Sequence, residues 1–331
     1  MTNSPRPFQW THQQPPFPTG LIDEFLSFWE RVFHYSFYET KGILRGEESA
    51  NNTDVLYVAR DGQRLAATCH LTISQTDPRL GGVGEVAVPD EFRRLGLATT
   101  LCETARDDFF ARGGEALFLG TENPQAQRIY ERLGWQQLPG TTVMVCTQRP
   151  AAAKTFLEHW FQMRSRPCRI KVAGSDIRIP LIPLALIDHP WTILDVHADL
   201  LSSRQYVQHS CMGLYPRYEQ LVSKGVVFAA WTEDNRLLGL ASVKIDGPFA
   251  SIDAFAYEFD QGNSLWKQLI RRGLQWVAEH PISECYCLVA VSDETKHSAF
   301  HSENFVDVGT GESLTIGEEV IKTRKMRYDL G

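Results

Sequence analysis

The stretch from residue 85 to 135 restricts the fold of this 331-residue chain more than any other. It opens with a short run, Glu85-Val86-Ala87-Val88, that Pro89 ends. Arg93-Arg94-Leu95-Gly96-Leu97-Ala98 follows, where a strand gives way to a helix. Leu97, Leu101, Ala105 and Phe109 recur every four residues and predict a helix from 97 to about 112, closed by Gly113-Gly114. Ala116-Leu117-Phe118-Leu119 is wholly apolar, as a strand inside a sheet would be. Asn123-Pro124 opens a second helix bearing Tyr130, and Gly134-Trp135 ends it: proline just inside the start, glycine just past the end. Strand, crossover helix and parallel strand make a right-handed βαβ unit. The helix start at Gly96 leaves backbone N–H groups without intrahelical partners, and glycine lets an anion come close to them.

Upstream, Pro5, Pro7, Pro15, Pro16 and Pro18 forbid a helix in residues 1–19 and predict an extended arm with Phe8, Trp10 and Phe17 as apolar anchors. Leu21, Phe25, Trp29, Val32 and Phe33 step by three and four, predicting a helix over 21–38 with Tyr35 and Tyr38 at its end. Residues 54–59 and 65–73 flank Asp61-Gly62 and predict a hairpin; 75–82 reads as a loop, broken by Pro78 and Gly81-Gly82. Residues 135–138 and 141–146 read as closing strands, and Arg149-Pro150-Ala151-Ala152-Ala153 as a boundary.

The second half repeats this order. Residues 226–231 and 237–245 around Asp234-Asn235 copy the hairpin, 252–257 takes the place of 85–88, 265–278 is a helix and 285–291 an apolar strand. Asp293, Phe300 and Asn304-Phe305 keep the spacing of Asn123, Tyr130 and Gly134-Trp135, seven positions and then four. Asparagine at a helix end can take the left-handed conformation that glycine usually supplies. Two features are missing from this copy. No Arg-x-x-Gly-x-Gly/Ala turn follows Tyr257, and Phe300 lacks the hydroxyl of Tyr130. The expected division is an arm over 1–19, a first domain over 20–150, a linker and domain start over 151–179, and a second domain over 180–331.

A net charge of −7 argues against a general nucleic-acid binder. The seven cysteines are scattered without a C-x-x-C pair, which fits reduced buried thiols in a cytoplasmic protein. The polar, proline-rich N-terminus is no signal peptide, and no apolar run is long enough to span a membrane. No metal is expected: Cys285 with Cys287, and His197 with Asp199, are pairs without further ligands. G-x-S-x-G, H-E-x-x-H and Walker A patterns are absent.

The strand Val86-Ala87-Val88, the turn Arg93-x-x-Gly96-x-Ala98 and the set Asn123-Pro124, Tyr130 and Gly134-Trp135 together resemble the GNAT N-acetyltransferase superfamily over about the first 145 residues. The resemblance implies an α/β (α+β) chain of two GNAT-like domains. Each would be a mixed, twisted sheet with a central βαβ unit and flanking helices. Tandem members with one working half are a known pattern in the superfamily. The resemblance also implies acetyl-CoA as acyl donor, with pantetheine lying along Val86, Ala87 and Val88 and the phosphates held by Arg93, Arg94, Leu95, Gly96, Leu97 and Ala98. It places Asn123 at the pantetheine, and Tyr35 and Tyr38 in a loop over the acceptor, a small-molecule amine.

Acyl transfer to an amine needs a polarised carbonyl, a neutral amine and a proton for the leaving thiolate. Backbone N–H groups at Val86–Val88 would serve the first and the Tyr130 phenol the third, though a tyrosine on an amphipathic helix also packs. Glu85 and His70 are the candidate bases; each is equally at home as a surface acid and a packed strand histidine. Asn123 can be no more than a helix cap, and Arg94 no more than a solvated charge. A longer acyl-CoA, a carrier-protein thioester, or a non-catalytic acyl-CoA-binding module stay open beside acetyl transfer.

Overall fold

In the computed structural model, residues 8–148, 153–162, 169–201, 211–257, 264–316 and 319–329 are described. They divide into two compact units, one within Met1–Ala153 with His209–Met212, the other within Lys154–Gln208 with Gly213–Gly331. Parts of the expected arm (1–7) and linker (151–152 and 163–168) lie outside the described residues.

The first unit begins with β1 (Gln9–Gln13), so the arm is a strand, paired antiparallel from Gln9 opposite Arg60. Helix α1 (Thr19–Phe33) buries Ile22, Phe25, Phe28 and Trp29. It is shorter than the periodicity predicts, because His34 takes φ 64 and turns the chain out of the helix before Tyr35 and Tyr38. A short α2 (Lys41–Leu44) leads to the hairpin of β2 (Asn52–Asp61) and β3 (Arg64–Ser74). Strand β4 (Leu80–Ala87) takes in Gly81 and Gly82, which read as loop breakers in the sequence. They are strand residues for a packing reason. A Cβ on Gly81 would lie 2.8 Å from the Phe109 ring and 2.9 Å from Leu117.

Helix α3 (Leu97–Ala111), β5 (Ala116–Gly120), α4 (Pro124–Arg132), β6 (Gln136–Gln137) and β7 (Val143–Thr147) complete the unit. The sheet order is β1-β2-β3-β4-β5-β7-β6, and β4 with β5 is parallel. One sheet face buries Leu97, Leu101, Ala105, Phe109, Tyr130 and Trp135; the other buries Phe25, Phe28 and Trp29 against Leu56 and Val58. Each such side chain contributes roughly 1.5–3 kcal/mol on burial, so both helical layers are anchored firmly enough to hold the strand ends between them.

The second unit contains α5 (Ala153–Gln162), β8 (Arg169–Val172), α6 (Leu181–Leu186), a small pair β9 (Ile193–Asp195) and β10 (Leu200–Leu201), and α7 (Leu214–Val222). Strands β11 (Gly225–Trp231), β12 (Leu237–Asp246) and β13 (Phe249–Ala256) are followed by α8 (Ser264–Ala278), β14 (Glu284–Ala290), α9 (Glu294–His301) and β15 (Phe305–Thr310). A minor pair, β16 (Leu314–Ile316) and β17 (Glu319–Ile321), precedes β18 (Thr323–Tyr328). The main sheet runs β8-β11-β12-β13-β14-β18-β15, position for position the order of the first, with β13 and β14 parallel. Asn304 after α9 has φ 67 where Gly134 after α4 has φ 99, so both take the left-handed cap. Two mixed seven-stranded sheets flanked by helices are the expected fold class. No helix among the described residues is long and apolar enough to cross a membrane.

Candidate active site

Strand β4 pairs with β5 through Leu80, Gly81 and Gly82, and the ladder stops there. Beyond this point, among the described residues, β4 is laddered to β3 alone, so its other edge is left without a strand partner. Against β3, Thr68 faces Ala87 and His70 faces Gly84, so Glu85 and Val86 together oppose Cys69. This is a β-bulge, which re-aims the side chains beside it. Glu85 sits in it at φ 45, a left-handed conformation unusual for a non-glycine residue. A relay of hydrogen bonds holds the kink. Trp29 Nε1 donates to Thr68 Oγ1 at 2.9 Å, and Thr68 Oγ1 donates to the Glu85 carbonyl at 2.7 Å.

The bulge turns Glu85 toward His70, and the two are 2.8 Å apart at Oε2 and Nδ1. The other ring nitrogen, Nε2, lies 2.9 Å from Asp54 Oδ1, which also accepts from Thr72 Oγ1 at 2.7 Å. Carboxylates only accept, so both ring nitrogens donate and the ring is an imidazolium. Burial alone would push its pKa down; the bonds to Asp54 and Glu85 and their charges outweigh it and raise the value to about 9. With both nitrogens engaged, His70 has no lone pair to offer an incoming amine. Glu85 keeps 14 % of its side chain exposed, whereas His70 keeps 2 % and Asp54 4 %. Two carboxylates and one imidazolium leave the trio net negative, and Glu85 is its most exposed member. Asp54 and Thr72 carry no motif in the sequence; they face each other across the β2–β3 hairpin, two positions along from the Leu56–His70 pair, and that register brings them to His70.

Past the C-terminal end of β4, Arg94 has φ 64 and Gly96 φ 80, and Gly96 brings no side chain to cap α3. The first helical bond runs from Thr100 N–H to Gly96 O at 3.0 Å, so the N–H groups of Leu97, Ala98 and Thr99 point out of the helix start. A Cβ on Gly96 would meet nothing within 4 Å, which leaves open space over the turn. Leu95 is 56 % exposed and Leu97 is buried as the anchor. Arg93 is turned to the strand side: it pairs with Asp90 at 2.7 Å and donates to Val88 O at 3.3 Å. Beside it a cavity of about 520 Å³ is lined by residues such as Arg31, His34, Arg64, Asp90 and Arg93, and does not reach His70, Glu85 or Tyr130.

Val86 and Val88 are half-buried against the helical face, and Ala87 is fully buried on the other. Tyr130 is buried on α4, and among the described residues no hydrogen-bond partner of its hydroxyl is found. Burial raises its pKa well above the ordinary value, with the Cys102 and Cys69 thiols adding to the rise. The Cys69 thiol is itself raised, first by its contact with Cys102 and by burial, with the Glu85 charge adding to the rise. Asn123 caps α4, its Oδ1 accepting from Gln125 N at 2.9 Å and Ala126 N at 3.4 Å. Of the two pocket tyrosines, Tyr35 is near enough to Glu85 for that charge to raise its pKa, after burial, and stacks on Phe37 at 4.6 Å. Tyr38 is 73 % exposed with Lys41 at 5.7 Å over its ring, and nothing ties it to the Glu85 cluster.

Residues 16–135 match the family model of the GNAT acetyltransferases. The first unit is a GNAT acetyltransferase domain. No curated protein matches the chain significantly. Among solved structures, an acetyltransferase of the GNAT family from Streptococcus pneumoniae is 15 % identical over 50 % of this chain and 99 % of its own, with a TM-score of 0.38. The spermidine/spermine N-acetyltransferase SpeG from Vibrio cholerae is 16 % identical over 49 % and 92 %, with a TM-score of 0.38.

The corresponding place in the second unit carries a buried ion pair and no bulge. Asp253 faces Ser242 across β12–β13 as Gly84 faces His70, and pairing with β14 stops after Ser251. The β12–β13 ladder has no register shift, so no bulge forms. Lys296, three residues after Asp293 as Ala126 is after Asn123, reaches Asp253 Oδ1 at 2.6 Å and donates to the carbonyls of Ile193 and Leu194, both at 3.0 Å. Both charged side chains are buried. His197 is likewise buried, between Ser242 at 2.7 Å and Ser251 at 2.8 Å, where burial pushes its pKa down to about 4. Residues 258–263, where the sequence lacks the glycine turn, lie outside the described residues.

Proposed function

We propose that the GNAT domain moves an acetyl group from acetyl-CoA to the amine of a small molecule, by direct attack in a ternary complex, and that the second unit takes no acyl donor. The observation that carries this reading is the bulge at Glu85. It places an ionisable group beside a strand edge left free by the parting of β4 and β5. Pantetheine pairs with that edge as an added strand, and the phosphates rest on the open N–H groups after Gly96.

The amine reaches Glu85 as an ammonium, drawn by the net negative trio, and gives up a proton to the carboxylate. Its lone pair attacks the thioester carbonyl, whose oxygen is held by backbone N–H groups of the Val86–Val88 edge. The C–N bond forms, the C–S bond breaks as the Tyr130 phenol protonates the departing sulfur, and the second proton shed by the acylated nitrogen passes through solvent to restore the phenol. His70 donates to Glu85 and fixes it; it is a positioning residue rather than the proton acceptor. Six described cysteines are free and buried, which fits a reducing compartment such as the cytoplasm.

The test is thiol release from acetyl-CoA in the presence of a panel of small amines. Amine-dependent release is the expected result. Release only with a longer acyl-CoA or a carrier-protein thioester would change the donor, and tight CoA binding without release from any donor would overturn the enzymatic reading.

A further inference from the structure

Helix α9 and strand β15 of the second unit bring together three side chains that neither the acyl-transfer chemistry nor the Lys296–Asp253 pair uses. His297 and His301 stand one turn apart on α9, their rings 5.3 Å from centre to centre, and Asp307 lies across from them on β15. His297 Nε2 is 3.6 Å from Asp307 Oδ1, and His301 Nε2 is 3.3 Å from Asp307 Oδ2. One ligand atom from each residue falls within 4.8 Å of the others.

The hydrogen bonding around the cluster sets the chemistry of these atoms. His301 Nδ1 lies 2.9 Å from the Phe305 carbonyl, which can only accept. Nδ1 therefore carries the proton, and in the neutral ring the Nε2 lone pair points at Asp307. A backbone carbonyl on the far nitrogen is the usual way a metal-ligating histidine is held in tautomer and orientation. The His297 side chain is 9 % exposed, and its Nε2 is buried with no hydrogen-bond partner. The His301 Nε2 lone pair, the unpartnered His297 Nε2 and the Asp307 carboxylate thus converge on one point.

We propose that His297, His301 and Asp307 bind a first-row divalent cation, for which zinc fits best. Two imidazoles and one carboxylate satisfy three corners of a tetrahedron, with metal–ligand distances near 2.0–2.2 Å requiring only small rotations of the two exposed side chains. Asp307 also borders a cavity of about 370 Å³ lined by Gly309, Thr310, Lys322 and Arg324, which would give a bound ion an entry path and room for a water or an anionic ligand. Lys322 and Arg324 are the cations there, and they favour an anion in that place. The bound ion ties α9 to β15 across the turn at Asn304. The sequence reading passes over this site because its ligands are split between a helix and a strand; His297-x-x-x-His301 at helical spacing is the signal it carries.

The experiment uses the full chain without an affinity tag, stripped with a chelator, and titrated with Zn²⁺ in calorimetry and with Co²⁺ in visible absorption. One equivalent of Zn²⁺ per chain in the micromolar range or tighter, with a four-coordinate Co²⁺ band, is expected. His301→Gln and Asp307→Asn, both at half-exposed positions, should each weaken binding at least tenfold, with far-UV circular dichroism unchanged. A wild-type chain that takes up no Zn²⁺ below millimolar, or uptake equally tight in both variants, overturns the site and leaves an ordinary imidazolium–carboxylate pair.

Discussion

Asp54→Asn isolates what the buried carboxylate does for His70. The substitution keeps size and an acceptor oxygen for Thr72 while removing one of the two charges that hold the ring protonated. His70 titrates near 9 in the folded chain against an ordinary 6.5, a difference of about 3 kcal/mol in favour of the folded state. The sign follows from the direction. A raised pKa contributes fully below about 6.5 and is lost as the pH rises through about 9. Because a ring deprived of one partner can shed its proton, the loss in the variant is capped by that same figure. Urea unfolding at a series of pH values is the assay. The variant should be less stable than wild type by up to about 3 kcal/mol at pH 6, with the gap closing by pH 9.5. A gap that stays constant across the series would refute the assignment of His70 as a buried imidazolium.

Three further outcomes are expected. Tyr130→Phe should bind acetyl-CoA as wild type does but lose a hundredfold or more in turnover, the order for a positioned proton donor; unchanged kcat removes the phenol from the mechanism. Gly96→Glu sets a side chain at φ 80 and a negative charge over the open N–H groups, so CoA affinity by calorimetry should fall at least tenfold while the fold survives. Lys296→Met leaves Asp253 buried without its cation and should cost about 3–5 kcal/mol in chemical unfolding; adding Asp253→Leu should restore most of it, and a double variant no better than the single would contradict the pairing.

Much of the fold is legible in the sequence because it is written in local periodicity. The four-residue spacing of Leu97, Leu101, Ala105 and Phe109 marks a helix face, and all four are buried. The paired spacings from Asn123 and Asp293 survive as two helices of matching place, with Asn304 standing in for Gly134. Gly81 and Gly82 mislead for the same local reason: a rule about turns sees flexibility where the Phe109 ring needs space. The site is legible only where a backbone motif makes it, as at Gly96. Asp54, Thr68 and Thr72 reach His70 and Glu85 through strand register, and one bulge changes which way Glu85 faces. No windowed pattern carries that information. Lys296 is hidden likewise, since a lysine on a short helix reads as solvated until its partner Asp253 is known.

The Lys296–Asp253 pair also bears on stoichiometry. A chain with two sheets of the same order would be expected to saturate at two acyl donors. With the Lys296–Asp253 pair standing where the second unit's β13 and β14 part, the proposed function entails saturation at a single equivalent of CoA per chain. Ligand-induced protection of backbone amides from hydrogen exchange would then appear along β4 and the start of α3 and leave β13 and α8 unchanged, so one half of the molecule would report on the donor while the other served as its internal reference.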